Sequence, residues 1–217
     1  MDASTWFVIA LVAVLLGVAL LVVDRIRSSA GSRDRKRWAA ARGWEWQDSD
    51  PVLPGRWRYG TISQGGAGVA RNVVSGDVPT PDGDRRGYLF DHEQAGRVAS
   101  VVAAVQVRSA LPAAMELRLP SAPEPGDAGL DLLERVGERY AFVADPEAVR
   151  PLLTSRLAVA ADAVGDDIEV LWAEDAWVLA VAPLGADPDR LQNLLADLAE
   201  VATVLEQGKA VRHRSGT

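Results

Sequence analysis

Side chains that could carry catalysis or bind a metal are few in this sequence of 217 residues, which contains two histidines and no cysteine. His92 lies in "FDHEQ", between Asp91 and Glu93, at the predicted end of a strand. Neighbouring residues on a strand point to opposite faces, so these three side chains cannot converge on one ion. We therefore expect His92 to be a solvated loop residue and His213 to lie in a polar tail.

Glycine-rich and acidic segments were the other candidates for chemistry. "QGGAGVARN" (64–72) lacks the spacing of a Walker loop and leads into a strand, which indicates a hairpin loop. "DGDRRG" (82–87) lacks the register of a calcium loop. Asp166-Asp167 and Glu174-Asp175 lie at the ends of predicted elements, whereas glycosidases need two carboxylates facing each other across a cleft. The sequence predicts no catalytic residue, no metal ligand and no cofactor.

Charge is distributed unevenly along the chain, whose formal net charge is −7. Residues 24–42 hold seven basic and two acidic side chains, a net charge of +5. Residues 43–217 hold 16 basic and 27 acidic side chains, a net charge of −11. Nucleic-acid binding needs an accumulated basic face. An acidic domain of this kind therefore excludes nucleic acid as a partner.

An uncharged apolar segment, Trp6 to Val23, dominates the N-terminal part. Eighteen residues at about 1.5 Å each span roughly the hydrocarbon core of a bilayer. Basic residues follow only on its C-terminal side, so the positive-inside rule predicts residues 1–5 outside and the rest cytoplasmic. We thus expect a single-pass protein of the inner (plasma) membrane, with a transmembrane helix at 6–23. A cleaved signal peptide and a buried core helix are the alternatives.

The segment after the apolar run, residues 24–43, is predicted to lie against the inner leaflet. Basic residues near anionic lipid contribute about 1 kcal/mol each. Trp38 falls in a short helical pattern ended by Gly43. One interpretation is that the segment sets the membrane topology and adheres to the surface of the leaflet. The other is that it binds an anionic lipid specifically. The predicted membrane-surface residues are Arg25, Arg27, Arg33, Arg35, Lys36, Arg37, Trp38 and Arg42.

The first half of the predicted domain reads as strands and turns. Trp44 and Trp46 alternate with polar residues, as in an extended segment, and we expect them to pack in the core with Trp57. "SDPVLPGRW" is a turn because two prolines and a glycine exclude a long helix. Short connections between the following strands indicate antiparallel pairing. Those strands are predicted at 68–74, 86–93, 97–107 and 114–119.

The second half mixes strands and helices. After a strand at 139–144, Asp145 is predicted to cap a helix that runs to about Ala163, with Pro151 causing a kink or a later start. The clearest hairpin covers 167–183, and a turn centred on Glu174-Asp175 would place Trp172 opposite Trp177.

A last helix closes the predicted domain. Asp187-Pro188 supplies its cap and first position, and Gly208 its stop. Its leucines, with Val201, form one apolar stripe that should cover the sheet.

The predicted fold class is α+β. A mainly antiparallel sheet with two helices in its C-terminal half occupies residues 44–208 and follows the single transmembrane helix, and residues 209–217 form a flexible tail. A seven-stranded barrel capped by its C-terminal helix, the pleckstrin-homology-like arrangement, is the alternative fold.

Several positions resemble a known group of proteins. Tyr140, Phe142, "DPEA" (145–148), "LLT" (152–154) and the hairpin after them resemble a domain of unknown function in bacterial membrane-associated proteins. The apolar N-terminus, the basic stretch, "ARGWEW…DP…RW" and "RNVVSG" resemble an uncharacterised actinobacterial family of single-pass membrane proteins. The resemblance implies an architecture and no established activity, so no site residue follows from it.

These observations favour a binding or scaffold module held at the lipid bilayer over an enzyme. The expected partner is another membrane or cell-envelope protein. The alternatives are a small-ligand sensor or enzyme without a recognisable motif, using arginines such as Arg71, Arg85 and Arg86, and a module that binds anionic lipid.

Overall fold

A computed structural model gives the fold. It describes residues 32–62, 66–126 and 128–215. Within these residues, nine strands form one antiparallel sheet in the order β1-β2-β3-β4-β9-β8-β5-β7-β6. The strands are β1 (Glu45–Asp50), β2 (Val69–Val78), β3 (Arg85–Gln94), β4 (Arg97–Gln106), β5 (Met115–Arg118), β6 (Asp131–Val136), β7 (Arg139–Val143), β8 (Val170–Glu174) and β9 (Trp177–Ala182).

Helices precede the sheet and follow its seventh strand. Helix α1 covers residues 32–41 of the described chain. The others are α2 (Pro146–Val149), α3 (Ser155–Ala163) and α4 (Pro188–Ser215). Two 3₁₀ helices, Leu53–Arg56 and Arg150–Leu152, complete the described helical structure.

One face of the sheet, here called the helical face, is covered by α1, α3 and α4 and contains the larger core. The predicted stripe of α4 is buried in it: Leu191, Leu194, Leu195, Leu198, Val201 and Leu205. Arg85 of β3 joins α4 to the sheet, because its two Nη atoms donate to the Glu206 carboxylate at 2.8 and 3.0 Å. This hydrogen bond to Glu206 also raises the pKa of Arg85.

The opposite face, here called the loop face, is covered by the segment 53–62. Trp57 stacks on Phe90 with ring centroids 5.8 Å apart. Two buried carboxylates hold the segment: Glu174 accepts the backbone N–H groups of Arg58 and Tyr59, and Glu116 accepts that of Gly60 at 2.7 Å. Burial raises the pKa of the Glu174 carboxyl, while these hydrogen bonds act against that rise.

The strands predicted in the first half are confirmed, with small changes at their ends. Trp57 is buried as expected, and Trp44 and Trp46 are half-buried against the core of the helical face. The predicted "SDPVLPGRW" turn contains the first 3₁₀ helix. Strand β6 was not predicted: its sequence, "DLLERV", is mostly exposed at the sheet edge and lacks an alternating apolar pattern.

The helix predicted at 146–163 is broken into three pieces. Asp145 caps α2 as predicted, accepting the N–H groups of Glu147 and Ala148. Pro151 has no N–H to donate and lies in the 3₁₀ turn, after which Thr154 caps α3. At the end of the chain Asp187 caps α4 as predicted, but the helix continues through Gly208 to Ser215.

The hairpin of β8 and β9 is confirmed, but its predicted register is wrong. Glu174 pairs with Trp177, so the two-residue turn is Asp175-Ala176. Asp175 adopts φ +48°, a left-handed conformation that aspartate tolerates. Trp172 therefore lies opposite Leu179 and not opposite Trp177.

The structure corrects the predicted fold class and localisation. The predicted transmembrane segment, 6–23, lies outside the described residues, and none of the described helices is both long enough and apolar enough to cross a membrane. The single-pass, plasma-membrane topology with a cytoplasmic domain is thus not supported. The described fold is a nine-stranded antiparallel sheet with helices, and its sheet ends at β1 and β6, unlike the closed barrel considered as the alternative.

Candidate functional site

A cleft of about 410 Å³ opens at one end of the helical face. Its walls are α1, the strands β2 to β4, and the loop that leads from β9 into α4. The polar lining residues are Ser32, Asp34, Arg35, Asn72, Asp91 and Asp187, and the larger apolar ones are Trp38, Leu89, Val98, Val101, Leu184, Pro188 and Leu191. The volume falls in the range of small-molecule sites, about 300–1,000 Å³.

Asp91 organises the polar side of the cleft. Its Oδ1 accepts a hydrogen bond from the Arg35 guanidinium of α1, and its Oδ2 accepts one from Asn72 Nδ2 at 2.7 Å. The side chains of Arg35 and Asp91 are each 14% exposed, so the pair is only partly accessible to water. These bonds attach α1 to the sheet and neutralise the carboxylate.

Asn72 reaches Asp91 because strand β2 is irregular at that point. Its pairing with β3 shifts between Arg71 and Val74, which leaves an extra residue in β2. Asn72 has φ +49°, a left-handed conformation that asparagine adopts more readily than most residues. Bulges of this kind turn side chains toward sites at the sheet surface.

Trp38 contributes a hydrogen-bond donor that has no partner. The residue is 8% exposed, and its Nε1 has no acceptor among the described residues. Arg42 lies over the ring at 4.5 Å and Trp44 packs against its edge at 5.5 Å, so the indole is held from two sides. An unsatisfied buried donor costs about 1–3 kcal/mol.

The other side of the cleft combines an apolar wall with a helix cap. Leu184 and Val98 are 63% and 42% exposed, high values for large apolar side chains. Asp187 accepts the backbone N–H of Arg190 at 2.8 Å and so caps α4. With Asp34 and Asp91, the lining holds three carboxylates. The cleft thus offers hydrogen-bond acceptors beside exposed apolar surface, which suits a ligand with hydroxyl groups next to an alkyl group.

The structure separates the predicted membrane-surface residues into three sets. Arg25 and Arg27 lie outside the described residues. Arg35 and Trp38 line the cleft, and Arg42 covers the Trp38 ring and bonds Gln192 of α4. Arg33, Lys36 and Arg37 are exposed on α1.

Asn72, Asp91 and the β9–α4 loop were not predicted as parts of a site. An asparagine inside an otherwise β-branched run was the available signal, because it is rare in regular strands.

The other sequence candidates do not form a site. His92 is not a solvated loop residue as expected; it is fully buried on β3, and its Nε2 lies 2.8 Å from the carbonyl oxygen of Ala67. Asp167 is bound by Arg190 at 2.6 Å, which lowers the pKa of its carboxyl. Among the described residues, no three His, Cys, Asp or Glu side chains are grouped closely enough to hold a metal ion.

Comparison with known proteins identifies the family. A profile described as "Trehalose monomycolate transport factor TtfA" matches residues 3–210. This chain belongs to that family. The predicted resemblance to an actinobacterial family is confirmed. The prediction that this family is uncharacterised is wrong, because the family has a description associated with transport.

Two relatives support the assignment to the TtfA family. Trehalose monomycolate transport factor A of Mycolicibacterium smegmatis (strain ATCC 700084 / mc(2)155) is 29% identical over 182 residues, which are 82% of this chain and 62% of that relative. The chain thus matches less than two thirds of the relative's length. A crystal structure of the mycobacterial factor matches with a TM-score of 0.71 and 25% identity, over 80% of this chain and 93% of that one.

Proposed function

We propose that this chain is a binding factor in the transport of trehalose monomycolate, and that the cleft between α1 and α4 receives the sugar end of that ligand. The observation that carries the proposal is the mixed lining of the cleft in a chain of the TtfA family. The names of the family and of its relatives supply the ligand class. The mixed polar and apolar lining of the cleft supports the choice of this site.

The chemistry of the cleft matches a sugar ester. Sugar hydroxyls donate to the carboxylates of Asp34 and Asp187, and the Trp38 side chain, which lines the cleft, adds apolar surface beside them. The exposed apolar side chains of Leu184 and Val98 provide a surface for the first carbons of an acyl chain. A glycolipid presents these two kinds of surface side by side.

Two of the three carboxylates that line the cleft, Asp91 and Asp187, are engaged in ways that suit binding better than catalysis. Asp91 is neutralised by Arg35 and hydrogen-bonded by Asn72. Asp187 is occupied in capping α4. A general base needs a carboxylate within reach of the proton it abstracts and available to take it. A binding factor needs only acceptors in fixed positions, and it passes its ligand on unchanged to another cell-envelope protein.

Complementation in the source organism tests this function. The chromosomal gene is placed under conditional control, and the cells receive the wild-type chain, Leu184→Arg, or the matched control Val159→Arg. Val159 is 72% exposed on α3, away from the cleft lining, so both variants add a surface arginine. We expect newly made trehalose monomycolate to accumulate inside cells carrying Leu184→Arg but not in the control. Equal export in all three strains, at equal protein levels, would contradict the proposal.

A second candidate function is contact with an anionic lipid surface through the exposed side of α1. Lys36 and Arg37 are exposed there, and the Arg37 side chain is 77% accessible although Asp34 lies 3.5 Å away. Sedimentation with liposomes containing anionic lipid, using Lys36→Glu with Arg37→Glu, tests it. Arg97→Glu with Arg156→Glu gives the same charge change elsewhere. Only the first pair should reduce binding, and equal losses would argue against an α1 contact.

A further inference from the structure

The loop face carries a second surface, made of aromatic rings and arginines, that lies away from the cleft lining. Phe90, Trp57, Trp177 and Tyr88 form a row in which successive ring centroids are 5.8, 5.7 and 5.4 Å apart. The first two rings are buried, and Trp177 and Tyr88 are half-buried at the surface. Rings packed in this way are rigid, so little conformational entropy is lost when a partner covers them.

Three arginines surround the exposed end of this row. Arg56 and Arg86 lie over Tyr88, with 5.8 and 5.6 Å between each guanidinium carbon and the ring centroid. Arg58 lies over Tyr59 at 6.0 Å, in the segment pinned by Glu174. We call these six residues, Arg56, Arg58, Tyr59, Arg86, Tyr88 and Trp177, the arginine–aromatic surface.

The charges on this surface are only partly compensated. Arg86 pairs with Glu45 at 3.2 Å, and Glu45 is 81% exposed. Arg56 and Arg58 are exposed, and neither has a carboxylate within ion-pair distance in the part of the chain that the structure describes. In a chain with a net charge of −7, two guanidinium groups held over aromatic rings without a counter-ion form a local positive site.

We infer that the arginine–aromatic surface docks an acidic segment of a partner protein. Tyr, Trp and Arg are the residues enriched at the energetic centres of protein interfaces. Stacked guanidinium groups are pre-oriented for bidentate bonds to carboxylates.

A short acidic segment also fits the charge of the whole chain better than an extended polyanion does. Charges farther apart than about 8 Å are largely screened at physiological ionic strength. A short segment bound at this surface therefore meets mainly Arg56, Arg58 and the Arg86–Glu45 pair, in which the arginines outnumber the carboxylate. A lipid surface or nucleic acid would also face the acidic remainder of the domain. This inference does not depend on the cleft or on its ligand.

Site-directed photo-crosslinking in the source organism tests the inference. p-Benzoylphenylalanine replaces Gln106, an exposed residue directly opposite Trp177 on β4, in the full-length chain. The same group at Val159 is the position control. We expect a crosslink, specific to position 106, to a protein segment that mass spectrometry shows to be rich in Asp and Glu.

Charge exchange then decides whether the arginines cause the contact. Arg56→Glu with Arg58→Glu should reduce the crosslink at least about tenfold, and Arg97→Glu with Arg156→Glu should leave it unchanged. Changing the identified acidic residues of the partner to Lys should restore the crosslink of the first pair. The inference is overturned by a crosslink only to lipid, by a segment without acidic residues, by insensitivity to Arg56 and Arg58, or by no crosslink above that at position 159. None of these results bears on binding in the cleft.

Discussion

Gly76 and Gly87 lie directly opposite each other on β2 and β3, and the indole of Trp44 packs over both of them. A Cβ atom at Gly76 would overlap the Trp44 ring, and one at Gly87 would lie 3.6 Å from it. Trp44 in turn packs on Trp38 of the cleft. Because a Cβ at Gly87 would clash with Val78 at 2.7 Å and not with Trp44, Gly76 is the glycine that sets the position of the segment joining α1 to the sheet.

Gly76→Ala should destabilise the fold by about 1–3 kcal/mol, the usual range for an overpacked core. The reason is that Trp44 must move, and Trp38 with it. Urea unfolding measures the change. Gly55→Ala is the control, because nothing lies within 4 Å of a Cβ at that position. If the two variants were equally stable, the position of Trp44 would not depend on the missing Cβ at Gly76.

Arg85 and Glu206 should show a coupling free energy of about 0.5–3 kcal/mol in a double-mutant cycle of Arg85→Met and Glu206→Gln. The Arg85 side chain is 1% exposed and bidentate to Glu206, so the two groups act as one unit. The exposed pair Arg86–Glu45 serves as comparison and should couple by less than about 1 kcal/mol. A coupling at Arg85–Glu206 no larger than that of the comparison pair would show that this contact does not hold α4 on the sheet.

Glu174 should make the domain less stable as the pH rises. Burial raises the pKa of its carboxyl in the folded chain above the ordinary value of 4.5. A raised folded-state pKa means that the stabilising contribution is present below about pH 4.5 and is lost as the pH rises through the folded value. The stability advantage of the wild type over Glu174→Gln should therefore shrink as the pH is raised from about 4.5 towards neutrality.

Denaturant unfolding of both proteins across that pH range measures the difference, since other titrating groups are common to both. An advantage that grows with pH would contradict the raised pKa.

Trp38→Phe and Trp172→Phe should differ in their effect on stability. Both indoles are buried, but Trp172 Nε1 donates to Glu174 at 3.0 Å, whereas Trp38 Nε1 has no described acceptor. Trp172→Phe removes one hydrogen bond from the buried Glu174 carboxylate, whereas Trp38→Phe removes a donor that has no acceptor. The free energy of unfolding should therefore fall by at least about 1 kcal/mol more in Trp172→Phe than in Trp38→Phe. Thermal unfolding of the ligand-free proteins measures this. Equal losses would mean that the Trp38 N–H is satisfied in solution.

The parts of the fold that the sequence predicted well are those determined by local chemistry. The Asp187 cap and apolar stripe of α4 specify that helix, and the alternating residues of β8 and β9 specify the hairpin. The predicted hairpin register and the predicted helix at 146–163 were wrong because in each case a single residue alters the local backbone. Asp175 tolerates a left-handed conformation and shifts the hairpin register, and Pro151 divides the predicted helix.

The cleft could not be predicted because its parts are distant in sequence. Arg35, Asn72 and Leu184 come together only when the chain adopts the strand order in which β9 follows β4. The cluster of Arg and Trp in α1 and β1 could be recognised in the sequence. The sequence did not show which of its basic residues pack against the domain and which are exposed. Arg35 and Arg42 bond to side chains of the sheet and of α4, whereas Lys36 and Arg37 are exposed, with Lys36 over the Trp46 ring and Arg37 near Asp34.

Direct binding to the cleft tests the central claim. A trehalose monoester with a short acyl chain is titrated into the full-length protein by calorimetry, with Leu184→Arg and Val159→Arg in parallel and with trehalose and the free fatty acid as partial ligands. We expect saturable one-site binding of the ester, weakened at least about tenfold, or 1.4 kcal/mol, by Leu184→Arg alone. Affinity that is the same in both variants, or no binding to the wild type, would contradict it.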